Sequence, residues 1–584
     1  MATRRIIWAV IIFSCLWALA LLATGGFSVA VGSLRVSSRN PSPAIALAIA
    51  GSVALLVLAL RHGGLISIFT DLQRFDRHIT ALRARWLPSH RVAIAAAILV
   101  LVTTFLGLRR GALLVGGSDS YGYVSQADLW AHGELTMQQP DLPRVQWPFA
   151  REVFAPLGYV PDATGRSLIP MYSPGLPMAM AVFARLFGRT AVFWVIPLLG
   201  GLTVWATYLL GRQIRSPGIG LMASVLTATH PIFLFQIMTP MSDIAAAAWW
   251  TLSLALSVRV AGSRQIAAGL SAGAAILTRP NLLPLVLGPV VSIGSKRSGP
   301  NSRGLGLLWF AVGLIPACAA IGFINYRLHG SPLVSGYGRL SDLYSMTHVI
   351  GNLRDYGVKL IQTQPLIVAV AGAMWLMSRR AASTQTAAVM GSLALMATTI
   401  LSYVFYAPFA EWWSIRFMLP AIPAAMTMAS AVIVAIAGRV VASIQTVTVM
   451  VCLLSASAYG IGYARQAGAF ELSPSNAHYQ AMGEYVRDHL PERAIVISMM
   501  HSGSVRYYSN RLSLRYDLVP ADALDAVLGD LWAQDRTPCA LLDNWEVDAF
   551  RTKFAAHSRL GALDWSPVAT HPNGTQLFCF SKSG

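Results

Sequence analysis

Apolar runs of about twenty residues recur along most of this chain, a length suited to crossing a bilayer as helix. Thirteen such segments are predicted, at 6–24, 43–60, 92–113, 190–210, 218–236, 243–260, 266–278, 281–295, 305–323, 363–378, 385–405, 418–437 and 441–463. The two flanking Thr278-Arg279-Pro280 are short and read either as separate crossings or as one kinked helix. Long polar segments break the pattern at 114–189, 324–362 and 407–416. Loops of that length inside a compact domain are usually functional. Within the first, SPGLPMAMAVFARLFG (173–188) is apolar but short for a crossing, and is predicted to be a helix lying at the membrane interface or dipping partway in.

After Tyr463 the pattern changes. Helix-like Asn476–His489 precedes strand-like AIVISM (494–499); a helix at Ala521–Gln534 precedes CALLD (539–543); a helix at Trp545–Ala556 leads to a β-rich end closing in QLFCF. That alternation predicts a small α/β domain. The fold expected is a polytopic α-helical membrane protein of about thirteen transmembrane helices with a small C-terminal α/β extracytoplasmic domain. Its divisions are 1–91 (two additional helices and a basic loop), 92–463 (the main membrane domain) and 464–584.

Charge sharpens this picture. The chain of 584 residues is 55% hydrophobic and carries a formal charge of +19. Residues 1–463 hold 33 Lys+Arg against 12 Asp+Glu, a net of +21; residues 464–584 hold 11 against 13, a net of −2. The positive excess therefore lies between hydrophobic runs, where it orients a membrane protein, and nucleic acid is not an expected partner. With the N-terminus cytoplasmic, the inner loops hold 18 basic residues, including Arg74, Arg77, Arg212, Arg264, Arg297, Arg379 and Arg380, against Asp71 and Asp76 alone. The other acids of the membrane part then fall on the outer side, provided the Arg279 turn reaches the outer face, and thirteen crossings leave the C-terminal domain outside. The first run follows Arg4 and Arg5 without a cleavage site and is read as a retained helix. Of five cysteines, Cys15, Cys318 and Cys452 lie in apolar runs; Cys539 and Cys579 lie on predicted strands and are a candidate pair if their domain is outside the cytoplasm. No CxxC, P-loop or GxGxxG occurs.

The candidate chemistry sits on the long loops. Asp119, in GGSDSYGYVSQADLW, either caps the helix that follows or acts as a general base at the membrane surface. Asp243, in TPMSDIAAAAWW, is the only acid between Asp162 and Asp342; it too is either a cap or an ionisable group kept at membrane depth for function. Arg279, in LTRPN, and Arg416, in EWWSIRF, either snorkel to headgroups or bind a phosphate through a bidentate guanidinium. Trp413 is an interfacial anchor or a platform for a sugar ring, and Tyr121, Tyr123, Trp130, Trp147, Tyr172, Tyr337 and Tyr344 carry the same two readings. His329 and His501 have no His, Cys or acid at metal-ligand spacing, so a zinc site is not expected at either.

Taken in order, these stretches resemble the GT-C superfamily of polytopic glycosyltransferases, especially the bacterial branch related to protein O-mannosyltransferases and aminoarabinose lipid A transferases. SDSYGY looks like the family's acidic motif in the first large outer loop, MSD (241–243) like its second acidic position, and LTRPN like its mid-chain arginine turn. The resemblance covers about residues 92–437. It implies a polyprenyl-phosphate sugar donor, a lipid, polysaccharide or protein acceptor at the outer face of the cytoplasmic membrane, and inversion at the anomeric centre. Asp119 and Asp243 would be catalytic, with Tyr121, Tyr123, Arg279, Tyr337, Arg416 and Trp413 binding substrate. Many relatives carry a second acid beside the first, whereas Asp119 is flanked by Ser118 and Ser120. That bears on a divalent metal, Mg or Mn, for which Asp119 with Asp128, or Glu152, are the candidates. A transporter or flippase of lipid-linked saccharides, or a non-catalytic relative, remains the alternative.

Overall fold

The computed structural model describes residues 2–582, apart from short stretches at 25–26, 32–33, 39, 62–63, 87, 260–261, 297–299, 339 and 377–382. Arg297, Arg379 and Arg380 of the inner basic loops lie outside the described residues. Each of the thirteen predicted segments falls on helix, but their lengths differ. Among the described residues, seven helices are long and apolar enough to cross a membrane, and an eighth if the bent pair Pro217–Ala228 and Pro231–Ile237 is one span. Several predicted crossings are shorter or built differently. The 281–295 segment is a 3-10 turn, Pro280–Val286, followed by helix Leu287–Gly294.

Trp412–Val440, Arg189–Ile214 and Thr384–Val404 are largely buried and form the centre of the bundle, while Ser89–Arg110, Asn301–His329 and Ala442–Gln466 expose most of their apolar surface. Small residues let backbones approach in the interior, where apolar attraction between helices is weak in lipid. Helix Ser242–Ser257 carries four consecutive alanines near its start, Ala245 to Ala248, all buried. Helices Gly262–Thr278 and Pro300–His329 meet at Gly269 and Gly313; a methyl group on either would come within 2.0 Å of Phe310 O or 2.2 Å of Ile266 O.

The long polar segment at 114–189 is folded rather than loose. Helix Ser118–Ala131 is followed by a three-stranded antiparallel sheet with Ser167–Pro170 between Met137–Gln138 and Tyr159–Pro161, and then by helix Gly175–Phe187. Gly175 lets that last helix start against the backbone of Leu277 and Thr278, where a Cβ would lie 2.5 Å from Thr278 N.

The C-terminal domain is an α/β sheet of five strands in the order 512–514, 494–497, 537–542, 576–579, 569–570. The two pairings of Ala494–Ile497 are parallel and need helical crossovers, supplied by Ser502–Ser509 and Leu524–Ala533. All four residues of Ala494–Ile497 are buried, as expected of a strand covered on both faces. The Ser/Gly-containing stretch after it forms helix Ser502–Ser509. Cys539 and Cys579 face each other across the antiparallel pair and form a disulfide. Val153 and Phe154 of the 114–189 segment pack into the same hydrophobic cluster as this domain's residues. Half-buried Arg506 fastens the join, donating to Gln139 Oε1 at 2.7 Å, Phe154 O at 2.5 Å and Ser513 Oγ at 2.8 Å.

Candidate functional site

Four chain segments meet at one point: the starts of helices Ser118–Ala131 and Ser242–Ser257, the break at Arg279, and the 3-10 turn Trp412–Ala421. Each is placed by local chemistry. Arg279 precedes Pro280 and adopts extended backbone (φ −144°, ψ 89°), because a residue before proline is pushed out of the helical region. The turn carrying Arg416 is held by Lys359, whose ammonium donates to Phe409 O, Glu411 O and Ser414 Oγ at 2.9–3.1 Å.

Asp119 occupies the first turn of its helix, where the exposed N–H groups favour a carboxylate. Its Oδ1 accepts from the Tyr172 hydroxyl at 2.6 Å, and its Oδ2 lies 3.3 Å from Arg416 Nη1. Burial and the neighbouring Asp119 charge hold the Tyr172 phenol well above its ordinary value, so it stays a donor. The Arg416 guanidinium stacks on Trp413, 5.0 Å from the ring centroid, and its Nη1 also touches Met241 Sδ at 3.5 Å. Through Met241 the first acidic segment is therefore joined to the second.

Asp243 is fully buried. Arg279 Nη2 sits 2.9 Å from its Oδ1, and beyond that guanidinium no donor among the described residues faces either carboxylate oxygen. Arg279 is braced on two further sides: Nε donates to Ser242 Oγ at 2.9 Å and Nη1 to the Tyr403 hydroxyl at 2.9 Å. Tyr123 completes the brace by donating to Ser242 Oγ at 2.8 Å. The site is thus two carboxylate–guanidinium pairs, one partly exposed through Asp119 (35%) and one closed over Asp243 (0%).

The sequence-predicted residues divide on this geometry. Asp119, Asp243, Arg279, Arg416 and Trp413 come together, and Tyr337 joins them edge-on to Tyr172 with ring centroids 6.0 Å apart. Tyr123 belongs to the site but is buried and acts through Ser242. Tyr121 does not belong to it: the ring is buried against Gly503 of the C-terminal domain, where a Cβ would lie 2.2 Å away. Nor is Asp128 brought to Asp119. It pairs with Arg189 at 3.2 Å, nine residues along the helix and about 13 Å up its axis. Glu152 lies beside Arg151 at 3.7 Å. With each site carboxylate neutralised by its own guanidinium, the donor set does not fit a cage for Mg or Mn. Ser242, Tyr403 and Met241 were not singled out from the sequence; Ser242 and Met241 lie inside the MSD motif, but nothing local marks Tyr403.

Residues 146–243, ending on Asp243, match the family model described as oligosaccharyl transferase STT3, N-terminal. No curated protein matches. Solved structures match over most of the chain. ArnT from Cupriavidus metallidurans bound to undecaprenyl phosphate aligns with a TM-score of 0.55 at 12% identity, covering 84% of this chain and 98% of that one. The archaeal oligosaccharyltransferase AglB from Archaeoglobus fulgidus, in complex with an inhibitory peptide and a dolichol-phosphate, aligns with a TM-score of 0.52 at 12% identity, covering 86% and 75%. The fold is that of the GT-C glycosyltransferases. Within that GT-C fold the family match ends on Asp243, so it spans Tyr172 and all three MSD residues, each of which touches an arginine.

Proposed function

We propose that this protein is a glycosyltransferase that moves a sugar from a polyprenyl-phosphate donor to a hydroxyl acceptor at the outer face of the cytoplasmic membrane. The observation that carries the reading is the meeting of Asp119–Arg416 with Asp243–Arg279 through Met241 and Ser242. A partly exposed carboxylate beside two guanidiniums is what a displacement at a glycosyl phosphate needs: a base on one side and stabilisation of the departing phosphate on the other.

Asp119 is the candidate base, receiving the acceptor's proton as its oxygen attacks the anomeric carbon. Arg416, whose Nε is buried without an acceptor, has a donor to spare for a phosphate oxygen. Arg279 adds a second positive charge. Asp243 is a positioning residue, since it is closed off and acts through Arg279. Attack opposite the phosphate inverts the anomeric centre. Trp413 and Tyr337 offer apolar faces near the sugar, and the exposed apolar surface of the outer helices suits a prenyl tail. The undecaprenyl phosphate of ArnT and the dolichol-phosphate of AglB support a donor of this class. The disulfide and the positive inner loops support an outward C-terminal domain and an inward N-terminus.

The deciding experiment incubates purified protein with polyprenyl-phosphate sugars and candidate lipid, polysaccharide and peptide acceptors, and follows transfer by mass spectrometry. Sugar transfer that is lost in Asp119→Asn supports the reading. Lipid translocation in vesicles that survives this substitution, without any transfer, would replace it with a flippase.

A further inference from the structure

The C-terminal domain holds a second cluster that sequence spacing concealed. His501, expected to lack partners, lies beside His478 and Asp543, brought together from three elements: helix Leu472–His489, the turn after Ala494–Ile497, and the turn before helix Asn544–Phe554. One ligand-capable atom from each lies within 4.8 Å of the others, and all three residues are buried. His501 Nε2 is 2.9 Å, and His478 Nε2 3.6 Å, from Asp543 Oδ1. Ligands of a tetrahedral zinc at about 2.0–2.1 Å are separated by roughly 3.3 Å, which these two spacings bracket.

The hydrogen bonding points the same way. His478 Nδ1 lies 2.8 Å from Ser475 O, which can only accept, so the ring proton is on Nδ1. In the neutral ring Nε2 is then a bare lone pair, buried, with no hydrogen-bond partner, facing a carboxylate oxygen. Two acceptors facing each other in a buried site call for a cation between them. His501 Nδ1, also buried without a partner, is where that ring's proton goes when Nε2 turns its lone pair inward. Thr575 Oγ1 donates to Asp543 Oδ1 at 2.8 Å, and the Nδ1–carbonyl bond of His478 fixes its ring; both are the outer contacts that hold ligands in place at metal sites.

We propose that His478, His501 and Asp543 bind one zinc ion, with water as fourth ligand, and that this ion fastens the C-terminal domain to the start of the Asp119 helix. Two nitrogens and one carboxylate suit zinc better than magnesium or calcium, which prefer all-oxygen sets. The fastening role follows from what adjoins the ligands. Tyr479, next to His478, has its ring 4.6 Å from that of His501, and its hydroxyl would lie 3.3 Å from a Cβ at Gly117. Met500, next to His501, approaches the same point to 3.1 Å. Gly117 is the residue that starts the Asp119 helix. The proposal is independent of the sugar-transfer reading, and its test does not use that activity.

Untagged full-length protein in detergent is loaded with zinc, freed of excess by desalting, and assayed by elemental mass spectrometry, with thermal unfolding followed in parallel. About one zinc per chain and a melting temperature lowered by chelator are expected, since metal bound to the native state alone stabilises it. In His478→Gln the zinc content should fall at least about fivefold. Should that variant fail to fold, cobalt loading of the wild type decides instead: intense tetrahedral absorption supports the site. A folded wild type that retains no zinc, a His478→Gln variant that retains as much as wild type, or a cobalt spectrum of the hydrated ion only, would each overturn it.

Discussion

Gly122 and Tyr172 are fitted to one another: a methyl group at 122 would lie 2.1 Å from Tyr172 Cε2. Gly158 closes the other side, its would-be Cβ 3.1 Å from the same atom. Only in this glycine slot does the phenol reach Asp119 at 2.6 Å. Gly122→Ala should therefore displace Tyr172 and disturb Asp119 while leaving the charged pairs chemically intact. The expected result is a loss of transfer on the order of 10²-fold, the cost of misplacing a reacting group by about 1 Å. Turnover measured beside the melting temperature checks it.

Asp119→Asn keeps the shape of the side chain and removes its charge. Loss of a general base costs about 10²–10⁴-fold in turnover, so transfer should fall by that factor while binding of the prenyl-phosphate donor is retained. Tyr172→Phe should have a smaller effect. Because burial and Asp119 hold the Tyr172 phenol above its ordinary value, it remains protonated through neutral and moderately alkaline pH, and no alkaline fall in activity should trace to its ionisation. Comparing pH profiles of wild type and Tyr172→Phe tests this: an alkaline limb present only in the wild type would contradict it.

The two acids and two arginines were legible because charge is scarce here, 12% of residues, and costly within apolar surroundings. Their grouping was not, since 297 residues separate Asp119 from Arg416. Tyr121 and Asp128 show a signal that was available. On a helix advancing about 100° per residue, positions two and nine beyond Asp119 point to its opposite face, whereas Tyr123, four beyond, shares its face. Tyr403 gave no such sign: inside the span Thr384–Val404 it reads as packing, and only the fold brings its hydroxyl to Arg279. In the C-terminal domain, short apolar runs revealed the strands. The His478–His501–Asp543 cluster stayed hidden because its members lie far apart in sequence and converge only through the sheet topology.

The Asp243–Arg279 pair makes a prediction about stability. Removing one member of a closed ion pair leaves the other charged and unpartnered, at a cost of about 3–5 kcal/mol. Asp243→Ala should thus be more damaging than the double variant Asp243→Ala/Arg279→Met, which removes both charges. Arg279→Lys should keep the charge but lose the fork that spans Ser242, Tyr403 and Asp243, so activity should drop even where the fold holds. Thermal unfolding of Asp243→Ala, Arg279→Met and the double variant in detergent provides the check; strict additivity of the two single changes would mean that the pair is not coupled.

The Cys539–Cys579 bridge joins neighbouring strands at directly opposed positions and closes a 40-residue separation. Cys539 is buried in the cluster that also holds Val496, Leu541 and Leu577, so reduction loosens the sheet that carries Asp543 on the following turn. A bridge over a loop of this size is worth about 2–4 kcal/mol, mostly by restricting the unfolded chain. Denatured protein treated with an alkylating maleimide should gain three adducts, on Cys15, Cys318 and Cys452, and five only after reduction. Expression with the C-terminal domain held in a reducing compartment should give five adducts at once and a lower melting temperature. Five adducts without reduction, from protein exported normally, would show that the strands pair without the bond and would remove the disulfide's support for an outward-facing domain.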